Sequence, residues 1–466
     1  MILQQIYLGC LSQASYLIAC EESRVAAIVD PRRDIDDYLE LAKKHRLEIR
    51  HVVLTHFHAD FVSGHIELRD RAGATIHLGP SAKAEYDYVP AREGSTIDLG
   101  PTVRLSFLET PGHTPESICV LVHDLVKDSK KPHAVLTGDT LFIGDVGRPD
   151  LMASKGVTAD VLAGQLYDSL HKKLLALPDE TVLYPGHGAG SLCGKSLSSD
   201  TVSTIGAQRK LNYALQSMAK ESFVQLVAGA QGKPPSYFAY DAELNRKQRG
   251  TLDANLARVL KPLSLEAVLE LQRKGAQVVD TRPPQEFEGE GHLVGSLTFG
   301  LTGKYASWAG ALLSRERPIV LIATPGKESE AAVRLGRIGL DDVAGYLEGG
   351  AASFLSRPEL VRRRERIEAP ALSRELASKK RPTVIDVRGP GEWLAGHIEG
   401  SVNIPLDRLE ERVAEIPRGE RLIMQCQSGY RSAIAASILA RHGIESANLA
   451  GGILAWNEAK LPVAAT

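Results

Sequence analysis

The run Thr55-His56-Phe57-His58-Ala59-Asp60 constrains the fold more than any other stretch of this 466-residue chain. It follows His51-Val52-Val53-Leu54, an apolar segment that reads as a short buried strand, so the polar residues fall where that strand ends. Two histidines one residue apart at a strand end can aim both imidazoles at one point. Asp60 then adds a hard oxygen ligand or a proton acceptor. Three more pieces follow in order: Pro111-Gly112-His113-Thr114, Gly138-Asp139-Thr140 and Pro185-Gly186-His187-Gly188. Each sets one ligand-type residue in a glycine-bearing turn. One such turn carries little weight, whereas this ordered set points to a metal site. Of the other histidines, His45, His51, His65, His77, His123, His133 and His171 are expected to be solvated or capping residues.

The order of these pieces resembles the metallo-β-lactamase superfamily, and within it the branch that includes glyoxalase II and persulfide dioxygenase. The resemblance covers the first half of the chain and implies a four-layer αββα sandwich. The full family motif is His-x-His-x-Asp-His, whose last histidine helps hold a second metal; Phe61 stands there in this chain. The resemblance therefore implies one Fe(II) per chain, held by His56, His113 and Asp139 as the two-His, one-carboxylate set suited to iron and O₂. His58, Asp60 and His187 become groups that orient ligands, water or substrate. Imidazole and carboxylate also suit Zn or Mn, so iron rests on the resemblance together with Phe61.

The same resemblance marks Arg148, just past Asp139, as a substrate-carboxylate contact. Arg209 and Asn212 begin a helical closing segment, read over 211–229, and are candidates for the pocket border. Glutathione-using relatives carry an arginine shortly after this asparagine, where this chain has Ala214. A glutathione or coenzyme A persulfide, or another low-molecular-weight one, thus stays open. Cys193 lies six residues past His187 in Gly190-Ser191-Leu192-Cys193-Gly194-Lys195-Ser196. If His187 faces the metal, this loop is part of the pocket wall, and some bacterial fusions of these domains carry a cysteine in it. Such a thiol could exchange sulfur with the substrate; an unreactive loop cysteine is the equal alternative. The glycine-rich string has the wrong spacing for a phosphate-binding loop and no strand directly before it, so an NTPase is excluded.

The five cysteines are too few and too scattered for a disulfide framework or a paired zinc-ligand spacing. Cys10, Cys20 and Cys119 lie in apolar segments and read as buried small hydrophobes. Cys426 differs. The apolar strand Leu422-Ile423-Met424-Gln425 runs into it, and an alanine-rich helix follows from Ser432. A thiol at such a junction meets inward-pointing loop N–H groups, the positive end of a helix dipole and the fixed charge of Arg431, all of which favour an anionic sulfur. With Asp386-Val387-Arg388, Glu392-Trp393, Gly396-His397-Ile398 and Gly451-Gly452, this loop resembles a rhodanese domain over nearly all of 370–466. Cys426 is then the sulfur-carrying nucleophile and Arg431 its anion-stabilising partner. The upstream elements recur as Asp280-Thr281-Arg282, Glu286-Phe287 and His292-Leu293-Val294-Gly295-Ser296. There Ala323 replaces the cysteine and Glu328 the arginine, so the middle repeat keeps a rhodanese-like frame without a nucleophile.

These readings divide the chain into a metal domain over 1–255, an inactive rhodanese-like domain over 256–365 and a catalytic one over 366–466. The strand-helix alternation of each repeat predicts a parallel sheet covered on both faces. Ser264 and Ser373 read as helix N-caps. Charged residues make up 24% of the chain and nearly cancel, to a net charge of −2, so no nucleic-acid partner is expected. The basic run from Arg362 to Arg366 reads as a solvated linker helix. No signal peptide or membrane-span window is visible, so a cytoplasmic protein is expected; the resemblance adds a homo-oligomer. It also implies a bifunctional enzyme: persulfide and O₂ to sulfite in the first domain, and Cys-persulfide transfer linking sulfite with thiosulfate in the last. A glyoxalase II-like thioester hydrolase with an attached sulfurtransferase, and a non-enzymatic sulfur carrier or sensor, are the alternatives.

Overall fold

The computed structural model describes residues 1–151, 156–195, 197–229 and 232–465; Ser196, the end of the glycine-rich string, lies outside them. The chain divides into two compact units, 1–255 with 336–339, and 256–335 with 340–466.

The first unit is built on two six-stranded sheets. In one, Ile2–Leu8, Gln13–Cys20 and Val25–Val29 run antiparallel, and Glu48–Val53, Thr75–Leu78 and Val89–Pro90 add on in parallel. Gln13–Cys20 is buried along its whole length, as a strand covered on both faces must be. The other sheet runs Ser203–Thr204, Val182–Pro185, Ala134–Gly138, Ile118–Asp124, Val103–Glu109 and Thr96–Gly100. Tyr16, Ile18 and Val53 of the first sheet interleave with Leu105, Phe107, Val120 and Leu136 of the second. Outside them, Tyr38 and Ile66 pack on one sheet and Leu166 and Phe223 on the other. The result is an αββα sandwich, as expected.

The second unit contains two five-stranded parallel sheets of identical strand order. Pro262–Leu263, Val343–Leu347, Ile319–Ile322, Gln277–Asp280 and Leu297–Thr298 form one; Arg366–Ile367, Ala447–Leu449, Leu422–Gln425, Thr383–Asp386 and Val402–Asn403 form the other. The repeat extends to side chains. Arg282 grips Asp280 and donates to Gly291 O at 2.8 Å, and Arg388 does the same with Asp386 and Gly396 O. His292 stacks on Phe287 at 3.9 Å between ring centroids, and His397 on Trp393 at 3.8 Å.

Five local expectations are corrected. Ser264 caps its helix by accepting from Ala267 N–H, but Ser373 lies inside the helix Ala369–Leu376, which starts earlier because Pro370 fits a first turn that needs no N–H. The arginine run is extended, not helical: Val361–Arg362 and Arg366–Ile367 are strands, Arg364 is buried, and Arg366 pairs with Glu288 at 2.6 Å. The segment 211–229 is not one helix. The helix Ile205–Leu211 ends at Asn212, whose side chain accepts from Ala214 N–H and starts a new turn, and a second helix spans Lys220–Ala228. Finally, His65 and His77 are buried, whereas Cys10 is only half-buried, in a tight turn.

Candidate metal centre and thiol site

Strand ends bring the metal-type residues together. Ala134–Gly138 and Val182–Pro185 lie parallel with Gly138 opposite Pro185, so Asp139 and His187 leave the sheet side by side. His113 comes from the connection between Val103–Glu109 and Ile118–Asp124, and His56 from the end of Glu48–Val53 in the facing sheet. The glycine turns permit close approach: a Cβ on Gly186 would lie 2.6 Å from Asp139 Oδ1, and one on Gly138 2.3 Å from Thr55 Oγ1.

Hydrogen bonds fix how each ring presents itself. His113 Nδ1 lies 2.8 Å from the carbonyl of Arg148, which only accepts, so Nδ1 carries the proton and Nε2 a lone pair. Thr55 Oγ1 donates to Asp30 Oδ2 at 2.7 Å and can therefore accept from His56 Nδ1 at 3.0 Å, leaving His56 Nε2 as a second lone pair. Asp139 takes a hydrogen bond from His187 on Oδ1, at 2.8 Å, and among the described residues has no partner on Oδ2. His56 Nε2 and His113 Nε2 likewise lack partners, and lie 3.8 and 3.5 Å from Asp139 Oδ2. Three buried lone pairs facing one point are costly unless a cation sits among them. The residues fit a divalent metal.

Electrostatics agree. Burial, reinforced by His58, holds His56 far below the ordinary imidazole value, and burial also lowers His113, so both are neutral ligands. Burial opposes charge on Asp139, yet His187 and His56 outweigh it and keep the carboxyl well below its usual range. His187 donates through Nδ1 to Asp139 and through Nε2 to Asp60 Oδ2, both at 2.8 Å. Those two carboxylates overcome burial and raise it well above the ordinary imidazole value. His58 lies 3.0 Å from Asp30 Oδ1 without hydrogen-bond geometry, with its ring between His56 and Phe61. Cys193 is buried, and its sulfur lies within 4.8 Å of ligand atoms of Asp60 and His187. Burial, then Asp60 and Asp139, push its thiol well above the usual cysteine value.

The three substrate-contact candidates are placed differently. Arg148 is buried, paired with Asp150 at 2.7 and 2.8 Å, and donates to Leu192 O at 3.2 Å, bracing the loop that carries Cys193. Arg209 holds Asp179 and the carbonyl of Leu175 at 3.0 Å each. Asn212 is buried and donates to Phe142 O and Asp145 O at 3.2 and 3.0 Å. Sequence reading missed Asp30, Glu116 and Asn245. Glu116 accepts from Phe57 N–H at 3.1 Å, and Asn245 donates to the carbonyls of His58 and Phe61 at 2.9 and 2.8 Å, so both shape the histidine loop. Only Asp30, a charged residue ending the apolar strand Val25–Val29, left a readable trace.

In the last domain Cys426 is buried at the end of Leu422–Gln425, ahead of the twelve-residue helix Tyr430–Arg441. Its sulfur accepts from Gly429 N–H at 3.1 Å and Ser432 Oγ at 3.3 Å. Arg431 is held by both oxygens of Glu392 at 2.7 Å. The middle domain repeats the loop with Gly326 at φ 88°, against 90° for Gly429, but Ala323 fills the cysteine position. There Glu328 accepts from Gly326 N–H at 2.8 Å, so a carboxylate of the chain itself sits where an anion would bind.

The metallo-beta-lactamase superfamily model matches residues 8–187, and the rhodanese-like domain model matches 264–357 and 369–459. The chain belongs to the metallo-beta-lactamase superfamily and carries two rhodanese-like domains fused behind that fold. Among its relatives, mitochondrial persulfide dioxygenase ETHE1 of Bos taurus is 30% identical over 48% of this chain and 80% of that one. A probable hydroxyacylglutathione hydrolase of Schizosaccharomyces pombe is 32% identical over 39% of this chain; the chain spans 66% of its length, and 65% of a second such hydrolase. The crystal structure of a metallo-beta-lactamase from Staphylococcus aureus aligns with a TM-score of 0.65 at 30% identity, covering 74% of this chain and 98% of that one. Fold, the His and Asp cluster and relatives together indicate a metal cofactor. No described helix is long and apolar enough to cross a membrane.

Proposed function

We propose that the first domain oxidises a low-molecular-weight persulfide with O₂ and that Cys426 transfers sulfur between persulfide, sulfite and thiosulfate. The observation that carries the first half is the convergence of His56 Nε2, His113 Nε2 and Asp139 Oδ2, all buried and without a partner among the described residues. Phe61 supports one ion over two. A single Fe(II) there would supply O₂ activation and the redox chemistry that places two oxygens on the terminal sulfur. The balance is R–S–SH + O₂ + H₂O giving R–SH, sulfite and two protons. His187 fixes Asp139 through one nitrogen and shares a proton with Asp60 through the other. Asp60 Oδ1 has no partner among the described residues, so it takes the persulfide proton or orients the water that releases sulfite. His58 and Phe61 wall that side, and the Cys193 thiol, within 4.8 Å of ligand atoms of Asp60 and His187, lines the same space. It accepts the outer sulfur of a persulfide as Asp60 takes its proton and passes it to the departing thiolate, releasing R–SH. Arg148 acts through the loop it braces, and Arg209 and Asn212 hold the closing elements rather than the substrate. The carrier is glutathione, coenzyme A or a similar thiol.

In the last domain, Cys426 attacks the outer sulfur of a second persulfide, releasing R–SH and leaving Cys–S–SH. Gly429 N–H and Ser432 Oγ steady the anionic sulfur, and Arg431, held at the rim by Glu392, attracts sulfite. Sulfite takes the outer sulfur and leaves as thiosulfate, with no net redox change. A cytoplasmic setting and a homo-oligomer belong to the same proposal.

The test is anaerobic purification, metal analysis and O₂ uptake with a defined persulfide. About one iron per chain and uptake matched by sulfite are expected; an iron-loaded sample that consumes no O₂ would sink the dioxygenase. The similarity to hydroxyacylglutathione hydrolases, with the second ligand group Asp60, His187 and Cys193, supports one competing reading. Two ions per chain and thioester cleavage would establish it. Cys426→Ser should abolish thiosulfate formation and let sulfite accumulate, and continued thiosulfate would exclude the thiol.

A further inference from the structure

The middle rhodanese-like domain has no nucleophile, yet one of its glutamates reaches the active loop of the last domain. Glu288 is fully buried and accepts from Asn448 Nδ2 at 2.9 and 3.1 Å on its two oxygens. The same Nδ2 donates to Gly429 O at 3.1 Å. An amide nitrogen has two hydrogens, so one is held by Glu288 and the other holds the loop. Gly429 in turn donates its N–H to Cys426 Sγ. The next residue is tied down as well. Tyr430 donates to Gly300 O at 2.9 Å, and its ring lies so close to Gly303 that a Cβ there would meet it at 2.5 Å. Both Gly300 and Gly303 belong to the middle domain. A loop that must present several N–H groups to one sulfur gains from such bracing, because each misdirected donor weakens anion binding.

We infer that Glu288, acting through Asn448 on Gly429, and Gly300, acting through Tyr430, make the middle domain a positioning scaffold for the Cys426 loop. The inactive repeat thus supplies two positioning contacts that the last domain lacks within itself. This rests on the sulfurtransferase reading of Cys426, and it adds that the active unit is the pair of domains.

The test uses the full chain with Glu288→Leu, Glu288→Gln and Tyr430→Phe. Leucine keeps most of the volume but removes the acceptor, and the partly exposed Arg366 can turn to water. Single-turnover loading of Cys426 from thiosulfate should slow about fivefold in Glu288→Leu, the effect of one lost hydrogen bond, with the half-saturating thiosulfate concentration little changed. Amide exchange across residues 426–432 should accelerate in parallel. Glu288→Gln, which keeps a carbonyl toward Asn448, should restore both. Tyr430→Phe deletes one hydroxyl, leaves the ring packed and should slow loading about twofold to threefold; it decides the matter if Glu288→Leu fails to fold. Wild-type loading and exchange in Glu288→Leu, or a glutamine variant as slow as the leucine one, would overturn the scaffold. A wild-type chain that never loads sulfur would instead remove the sulfurtransferase reading, and the exchange comparison would still judge the scaffold.

Discussion

Thr55 offers no ligand atom, yet the presentation of His56 depends on it. Its hydroxyl gives its proton to Asp30 and so must accept from His56 Nδ1, which points the lone pair of Nε2 at Asp139. Thr55→Val keeps the shape and deletes that instruction. Metal affinity should fall about 10- to 100-fold, the usual effect of losing a group that orients a ligand. Competition with a chelator of known affinity measures it, and an unchanged affinity would refute the role given to Thr55. Sequence made the histidines and Asp139 readable because glycine turns and strand ends are local signals. Asp30, Glu116 and Asn245 act across long separations and leave almost none. Arg148 shows the opposite failure: its position just past Asp139 was legible, but its bond to Leu192 O depends on loop packing that no local pattern encodes.

Among the elements, the His292–Phe287 stack of the second unit carries a pH response. His292 lies against Phe287, and its Nδ1 is 2.9 Å from Phe287 O, so the ring carries a proton on Nδ1 and donates it. Burial pushes it down to about 4, below the ordinary imidazole value of about 6.5 in an unfolded chain. The folded state therefore prefers the neutral form. The stability this lends is complete above about pH 6.5 and is lost as pH falls toward 4, about 3 kcal/mol at most. Trp308, Trp393 and Trp456 are the three tryptophans and all lie within 256–466, so their fluorescence follows this unit. His292→Asn should flatten the acid fall of the fluorescence-detected unfolding midpoint, whatever its stability at pH 7. An unaltered acid slope would assign the fall to other groups. The repeat was legible because Asp-x-Arg, Glu-aromatic and His-x-x-Gly recur at matching places. The extended course of the arginine run was not, since it follows from pairing with distant strands.

At the scale of the whole molecule, the His56, His113 and Asp139 cluster and the Cys426 loop lie in units with separate hydrophobic cores. Sequence foretold the two folds because each carries its own set of turn motifs, whereas the junctions at 211–229 and 361–367 depend on tertiary capping and strand pairing. Separate cores also predict how the chain melts. An ion held by His56, His113 and Asp139 binds only the folded first unit, so it stabilises that unit by about 4 kcal/mol at a free concentration a thousand times its dissociation constant. Chelation should lower the main transition seen by far-ultraviolet circular dichroism by several degrees. The tryptophan-reported transition should stay within about one degree, because all three residues that would hold the ion belong to the first unit. Returning Fe(II) under argon should restore the first transition alone, and Asp139→Asn should melt like the chelated chain with or without iron. If both transitions instead fell together on chelation, the metal would stabilise more than the sandwich around it, and the chain would have to be treated as one cooperative body.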